Sequence, residues 1–287
     1  MLLRLLTLSL AGILLALPAV AAEEANPMET YQDQLAFFKE HWPAMKAAAE
    51  KDGADGVIKL IAGYEDDLQR RVLYMFSRQG LMMGDWEGKS LDACIAVADA
   101  GIAEFLAQSE AAADDETRDR RIDGANVLSY NLSADLAACW PGDETPRETR
   151  HFERGYKAAV DCIGWRGLLN KPPGPFSMAY WAKGMHEISL GKYQESVASF
   201  TKSLAFAKQD ATAGELPATV SAEGTYSVVV GAGYLGLARL LAGDEAGQVQ
   251  YDEAIAAFTA QLEIEDKKDD AQFGIDQLEV VKAKYLK

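Results

Sequence analysis

A glycine-rich motif in the C-terminal third of the chain has the residue types of a nucleotide site. Residues 231–236 read GAGYLG and follow the apolar run at 227–230. A strand followed by GxGxxG lets backbone amides and a helix N-terminus approach a pyrophosphate, and an acidic residue about twenty positions further on would bind the ribose. Asp252 and Glu253 lie at that distance. Taken alone, the motif would predict a dinucleotide-binding enzyme.

Three observations favour a helical interpretation of these glycines instead. Gly236 is also required by the register of an internal repeat, described below. The two acids lie inside a repeated helix and do not end a second strand, and only about fifty residues remain to complete a nucleotide-binding unit. We therefore expect the glycines to be close-packing positions between helices, and we expect no cofactor.

The histidines and the clustered acids show no metal-binding pattern. His41, His151 and His186 form neither HxxxH nor a cluster with cysteine, and His186 is expected on the surface or in a groove. The acidic runs at 114–116 and 263–270 lack the spaced oxygens and the obligatory glycine of an EF-hand. The chain has no GxSxG and no Cys/His spacing that identifies a nucleophile with its base. We expect no catalytic residues and no metal ligands.

The N-terminal segment is typical of a secretory signal peptide. Arg4 precedes an apolar run over residues 5–17, and Pro18 and small residues follow it. The run is too short for a comfortable membrane span, and the small residues suit a cleavage site. We expect cleavage after Ala21 or Ala22, export to the bacterial periplasm, and no stable membrane insertion afterwards.

Three cysteines would then lie in an oxidising compartment, where at most one internal pair can form. They are Cys94, Cys139 and Cys162, and no two have CxxC spacing. If Cys139 ends one helix and Cys162 lies within the next, an antiparallel hairpin separates them by roughly 22 Å along its axis. We expect small core residues, and the disulfide state stays open.

An internal repeat is the clearest sign of how the chain is organised. Residues 193–204, YQESVASFTKSL, recur at 251–262 as YDEAIAAFTAQL. Apolar residues in each copy fall at i, i+3 and i+7, which is one face of a helix. Each copy follows another helical pattern that ends in glycine, Gly191 in the first and Gly243 in the second. Two helices separated by a glycine stop and a short turn predict an αα-hairpin.

This hairpin pattern resembles the tetratricopeptide repeat (TPR) family, whose unit of about 34 residues has small or aromatic side chains at fixed positions of two antiparallel helices. The resemblance covers roughly residues 176–265. The copies depart from the family because Ser196 and Ser203 replace alanines and because extra residues separate the copies. The matching positions are Gly184, Gly191, Tyr193, Glu195, Phe200 and Leu204 in the first copy, and Leu235, Gly236, Gly243, Tyr251, Ala254 and Phe258 in the second.

The resemblance also implies a binding surface, because the first helices of TPR hairpins line a concave groove. For Trp181, groove exposure and core packing both stay open, since tryptophan is often only partly buried and is enriched at binding surfaces. The groove positions implied by the family are Trp181, Met185, Ile188, Gly233, Leu237 and Leu240.

The rest of the chain is expected to be helical as well. Residues 115–139 and 147–168 predict two helices, and Asp269 and Asp270 can cap a last one. We predict an all-α fold of antiparallel helix hairpins stacked as a short TPR-like solenoid with a C-terminal capping helix. The expected domains are a signal peptide at 1–22, an N-terminal region of degenerate helical hairpins at 23–172, and TPR-like repeats with the capping helix at 173–287.

Charge and fold together indicate a binding function. The chain has 28 Lys and Arg against 44 Asp and Glu, a net charge of −16, which argues against nucleic acid and would steer cationic partners towards the protein. A solenoid groove suits a segment of another chain. We expect a non-enzymatic periplasmic scaffold or adaptor that binds a peptide or protein. The alternative is a solute-binding accessory of a periplasmic transport system, in which residues 60–175 enclose a pocket.

Overall fold

The computed structural model of the protein describes residues 28–84 and 86–286. The predicted signal peptide at 1–22 lies outside these residues. All regular structure in the described ranges is helical. It consists of α1 (Tyr31–Ala62), α2 (Asp67–Leu81), α3 (Leu91–Glu110), α4 (Asp115–Leu136), α5 (Thr149–Leu168), α6 (Pro173–Ser189), α7 (Tyr193–Ala213), α8 (Tyr226–Leu241), α9 (Ala246–Gln261), a 3₁₀ turn (Glu265–Lys267) and α10 (Lys268–Tyr285).

Side-chain caps explain the starts of α1 to α4. Ser90 and Asp114 precede α3 and α4, and their side chains accept amide hydrogen bonds from the first turn. The last helix differs from the expectation. Because α10 begins at Lys268, Asp269 and Asp270 lie in its first turn and do not cap it. Their carboxylates there still interact favourably with the positive end of the helix.

The helices stack in chain order. Each one packs against the next, and α4, α6, α8 and α10 also pack against one another in sequence, whereas α5 and α7 lie on either side of α6 without close packing between them. We call α4, α6, α8 and α10 the inner layer, and we call α5, α7 and α9 the outer layer. This arrangement confirms the predicted fold, an all-α stack of helix hairpins closed by a C-terminal helix.

The predicted glycine stops end α6 and α8 in the same way. Gly191 has a φ of +71° and Gly243 a φ of +86°, which is the left-handed region that glycine adopts without strain. After the first glycine, the amide of Lys192 donates to the carbonyl oxygen of Glu187 at 2.8 Å, and an equivalent bond follows the second. These turns set the hairpin geometry of both repeat copies.

The GxGxxG motif lies within a buried helix. Residues 227–236 all belong to α8, so the apolar run is helical. A Cβ atom on Gly233 would lie 2.5 Å from Cδ1 of Leu278, and one on Gly236 would lie 2.6 Å from the amide nitrogen of Tyr251. As expected, these two glycines allow α8 to approach its neighbouring helices closely.

Two main apolar cores lie along the stack. The N-terminal core is built from α1 to α4 and includes Val57 and Leu73. The C-terminal core is built from α6 to α10 and includes Phe200, Tyr234 and Leu278. Among the described residues, no helix has both the length and the apolar character needed to cross a membrane.

Candidate functional site

Four of the six predicted groove positions are buried in the C-terminal core. Met185 and Leu237 are 0% exposed and Ile188 is 1% exposed. Gly233 is buried as well, against Leu278 of α10. These four residues therefore pack the core in this structure and do not line an accessible groove.

The other two predicted positions, Trp181 and Leu240, are partly buried. The ring of Trp181 packs edge-on against Trp140, with 5.6 Å between ring centroids, and against Tyr234 at 6.0 Å. Tyr234 belongs to the C-terminal core, and Trp140 packs against that core. Trp181 therefore holds the inner layer together from a half-buried position.

The chain's own connection between α4 and α5 covers this surface. We call residues 137–148 the inner segment. Cys139 is 0% exposed within the C-terminal core. Trp140 stacks on Phe273 of α10, with centroids 6.3 Å apart and ring planes 16° apart, while it also contacts Trp181 of α6. The inner segment thus joins three helices of the inner layer.

Polar contacts fix the inner segment at both ends. The indole nitrogen of Trp140 donates to the carbonyl oxygen of Ala134 at 2.8 Å. The Arg147 guanidinium, whose side chain is 4% exposed, donates to the carbonyl oxygen of Asp135 at 2.9 Å and to the Asp143 carboxylate at 2.6 Å. A buried guanidinium requires such partners. The protein's own chain therefore occupies the face on which the family resemblance implied a groove.

His186 is a core residue of α6, in contrast to the expectation of a surface or groove position. Its Nε2 donates to the carbonyl oxygen of Ser133 at 2.9 Å, and Nδ1 has no hydrogen-bond partner among the described residues. Burial lowers the imidazole pKa to about 4, against the opposing effect of the Ser133 hydrogen bond and with some help from the Arg147 charge. The histidine is therefore neutral at pH 7.

The three cysteines are buried free thiols. Burial raises the pKa of Cys139 and of Cys162 to about 12, and it also raises the pKa of Cys94. A thiol with so high a pKa is a weak nucleophile at neutral pH. In the described part of the chain, no group of three or more His, Cys, Asp or Glu side chains is arranged to hold a metal ion.

An open groove lies on the outer layer between α5 and α7, with α6 as its floor; we call it the outer groove. Its volume is about 200 Å³. Val160 on its α5 wall is 41% exposed. The groove is lined by Val160, Ile163, Tyr180, Lys183, Ala198, Ser199 and Lys202.

A buried ion pair supports the floor of the outer groove. The Lys183 ammonium pairs with Glu187 and also donates to the hydroxyl of Ser199 at 2.9 Å. Glu187 is 1% exposed, and its Oε2 has no hydrogen-bond partner among the described residues. Lys183 therefore neutralises a buried carboxylate and adds little net charge to the groove.

Two other lysines lie over tyrosine rings near the groove. Lys202 is 5.1 Å from the ring centroid of Tyr180, and Lys192 is 5.0 Å from that of Tyr156. Neither ammonium has a carboxylate within ion-pair distance in the described residues. Lysine–tyrosine contacts of this kind are worth about 0.5–1 kcal/mol at exposed sites and leave the cation charged.

An aromatic stack continues the groove floor beyond Tyr180. Phe206 of α7 stacks on Tyr180 with centroids 5.7 Å apart, and it stacks on Phe176 of α6 at 5.1 Å. All three rings are partly exposed. Aromatic side chains are enriched at protein-binding surfaces, so these half-exposed rings extend the part of the outer groove that could contact a partner.

Comparison with protein-family models, curated proteins and solved structures gives no match. The TPR resemblance therefore stays a prediction, and the outer groove is interpreted from its own geometry.

One signal of the outer groove was present in the sequence. Tyr156, Val160 and Ile163 fall at i, i+4 and i+7, which places them on one face of α5. Nothing in that spacing shows that the stripe is exposed or that Lys202 faces it, because α5 and α7 belong to successive hairpins. Only the stacking of the hairpins on α6 brings these side chains together.

Proposed function

We propose that the protein is a non-enzymatic helical-repeat scaffold of the periplasm that binds a segment of a partner protein in the outer groove. The open groove, with partly exposed Val160 and Tyr180 on its walls, is the observation that supports this proposal most directly. The inner layer, where helical solenoids commonly bind peptides, is filled here by the inner segment. The periplasmic location rests on the signal-peptide pattern at residues 1–22.

The dimensions of the groove favour a protein segment over an enclosed solute. Small-molecule pockets usually enclose about 300–1,000 Å³, whereas the outer groove has about 200 Å³ and is open. The cavity between α2, α3 and α4, within the region where a solute pocket was the alternative, has only about 10 Å³. Such a space has room for about one water molecule.

Site-specific photocrosslinking tests the proposal. A benzoylphenylalanine at Val160 should capture a discrete partner in living cells, whereas the same residue at Val249 should not. Val249 is a matched control because it is an exposed valine, 63% accessible, on α9 outside the groove. The captured protein would then be identified by mass spectrometry and purified.

Binding of the purified partner decides the outcome. We expect Val160→Glu to weaken its affinity about tenfold or more, because a charge would be buried against the apolar wall, and Val249→Glu to leave the affinity unchanged. Equal capture at the two positions, or equal affinities of the two glutamate variants, would show that the outer groove is not the partner site.

A further inference from the structure

The charge around Lys202 differs from that of the rest of the molecule. Lys202 lines the outer groove, and its helical neighbours at i±3 and i±4 are Ala198, Ser199, Ala205 and Phe206, none of which is charged. Across the groove, Ile163 is uncharged as well. This end of the groove therefore presents one unpaired cation in a chain whose net charge is −16.

The opposite end of the groove has a different balance. Lys192 lies there over Tyr156, but Glu195 follows it in the first turn of α7 and Glu153 precedes Tyr156 by one helical turn on α5. Lys157 of α5 is already paired with Asp161 at 2.6 Å. Acidic residues therefore lie near the lysines in sequence at this end, whereas Lys202 has no acidic neighbour one helical turn away in either direction.

Groove length limits what can bind between these ends. The α5 wall from Tyr156 to Ile163 measures about 10 Å at 1.5 Å per residue. An extended chain covers about 3.3 Å per residue, so the groove accommodates about three residues of a partner. Val160 and Ile163 provide an apolar wall for one of those side chains, and Lys202 provides a cation for another.

From this geometry we infer that the outer groove binds an acidic–apolar segment of a partner protein, with a carboxylate at Lys202 and an aliphatic side chain against Val160 and Ile163. The inference rests on the proposed function and specifies its partner chemistry. It also differs from the expectation that net charge alone gives, which is a cationic partner. The net negative charge repels an acidic segment from most of the molecular surface, whereas Lys202 attracts it at one end of the outer groove. The repulsion therefore adds to the specificity of binding at that end.

Short capped peptides can test this chemistry on the intact protein. The probe is acetyl-Gly-Glu-Leu-Val-Gly-amide, and the matched control has Gln in place of Glu. Titrations followed by NMR should give shifts of α5 and α7 amides with both peptides, and about two- to fivefold tighter binding of the Glu peptide at low salt, the range of one exposed ion pair. The advantage should shrink at 0.5 M salt because the ion pair is screened.

Matched lysine variants locate the carboxylate. Lys202→Gln should abolish the preference for the Glu peptide, and Lys202→Arg should keep it. Lys192→Gln, which removes an exposed lysine over Tyr156 at the opposite end of the groove, should leave the preference unchanged. Because Lys202 and Lys192 are exposed, these variants should fold normally, which circular dichroism would check.

Several results would overturn the inference. It fails if the Glu and Gln peptides bind equally, if the preference survives in Lys202→Gln, or if Lys192→Gln removes it. A lipid-binding result would also overturn it. In that case the protein would bind phosphatidylglycerol vesicles, Lys202→Gln would abolish that binding, and the Glu and Gln peptides would bind equally. Any of these results combined with specific capture at Val160 would refute the acidic chemistry alone, whereas failed capture at Val160 would refute the proposed function.

Discussion

His186 is held neutral between α4 and α6 by its surroundings. The imidazole is 0% exposed, and this burial disfavours its charged form more than the hydrogen bond from Nε2–H to the Ser133 carbonyl oxygen favours it. The charge of Arg147 also disfavours protonation. At the scale of single residues, burial therefore disfavours protonation of this imidazole, and the stability of the fold depends on pH as a result.

Acid should destabilise the protein through His186. The folded-state pKa is about 4, whereas an unfolded histidine has a pKa near 6.5. Protons therefore bind preferentially to the unfolded chain, and the contribution of neutral His186 is complete above pH 6.5 and declines as pH falls towards 4. The difference amounts to about 3 kcal/mol over that window.

Urea unfolding at pH 7 and pH 4.5 measures this dependence. His186→Gln keeps an amide donor near Ser133 and should lose less stability between the two pH values than the parent protein. His41→Gln is the control, because His41 is only partly buried. If the free energy of unfolding depends on pH equally in the parent protein and in His186→Gln, the lowered pKa of His186 is contradicted.

Two glycines of α5 should respond to alanine in opposite directions. A Cβ atom on Gly155 would overlap the buried His186 imidazole, whereas one on Gly164 would meet nothing within 4 Å. We expect Gly155→Ala to lower the free energy of unfolding by about 1–3 kcal/mol through overpacking. Gly164→Ala should raise it by about 0.5–1 kcal/mol, because alanine favours the helix. Urea midpoints would report both, and a stabilising Gly155→Ala would disprove the close contact.

At the scale of elements, the inner segment connects helices that are far apart in the chain. Trp140 contacts both α6 and α10, although it follows α4 directly. In a simple stack each hairpin contacts only its neighbours. The inner segment adds a longer connection across the inner layer, and together with α10 it covers the face where the TPR resemblance implied a groove.

Trp140→Ala should therefore loosen α10 as well as the inner segment. Removing a half-buried indole should lower stability by about 2–4 kcal/mol, somewhat less than a fully buried one. Hydrogen exchange should accelerate at amides of α6 and α10. Trp86→Ala is the matched control, since Trp86 is also half-buried but packs edge-on against Trp42 of α1, with centroids 6.0 Å apart. Its effect should appear in α1 and α2, and faster exchange of α10 in both variants would argue against the connection.

Features that depend on neighbouring residues could be predicted from the sequence, whereas features that depend on contacts between distant segments could not. Gly191 and Gly243 ended helices as expected, because the left-handed conformation at a helix end depends on the residues immediately around it. Met185 and Leu237 are groove positions by family resemblance, whereas in the structure both side chains are buried in the C-terminal core. The loop at 140–146 has no periodicity, so its sequence indicates a break between helices and cannot show where the loop packs. The outer groove likewise depends on contacts between successive hairpins.

At the scale of the whole molecule, the stack contains two main apolar cores, one at each end. Val57 belongs to the N-terminal core and Leu278 to the C-terminal core, and both side chains are 0% exposed. In between, α5 contacts α4 and α6, so the regions are joined through the stack. Stability in such an array is approximately a sum of local terms and interfaces between neighbours.

Core truncations at the two ends should therefore have separate effects. Leu278→Ala should lower the stability of the C-terminal region by about 2–5 kcal/mol and accelerate hydrogen exchange in α8, α9 and α10. Because Trp140 packs on α10, exchange should also rise in the inner segment, while α1 and α2 stay unchanged. Val57→Ala should accelerate exchange in α1 to α3 and leave α8 to α10 protected. Uniformly faster exchange in either variant would mean that the chain unfolds as one cooperative unit, and the outer groove could then not change its stability independently of the N-terminal helices.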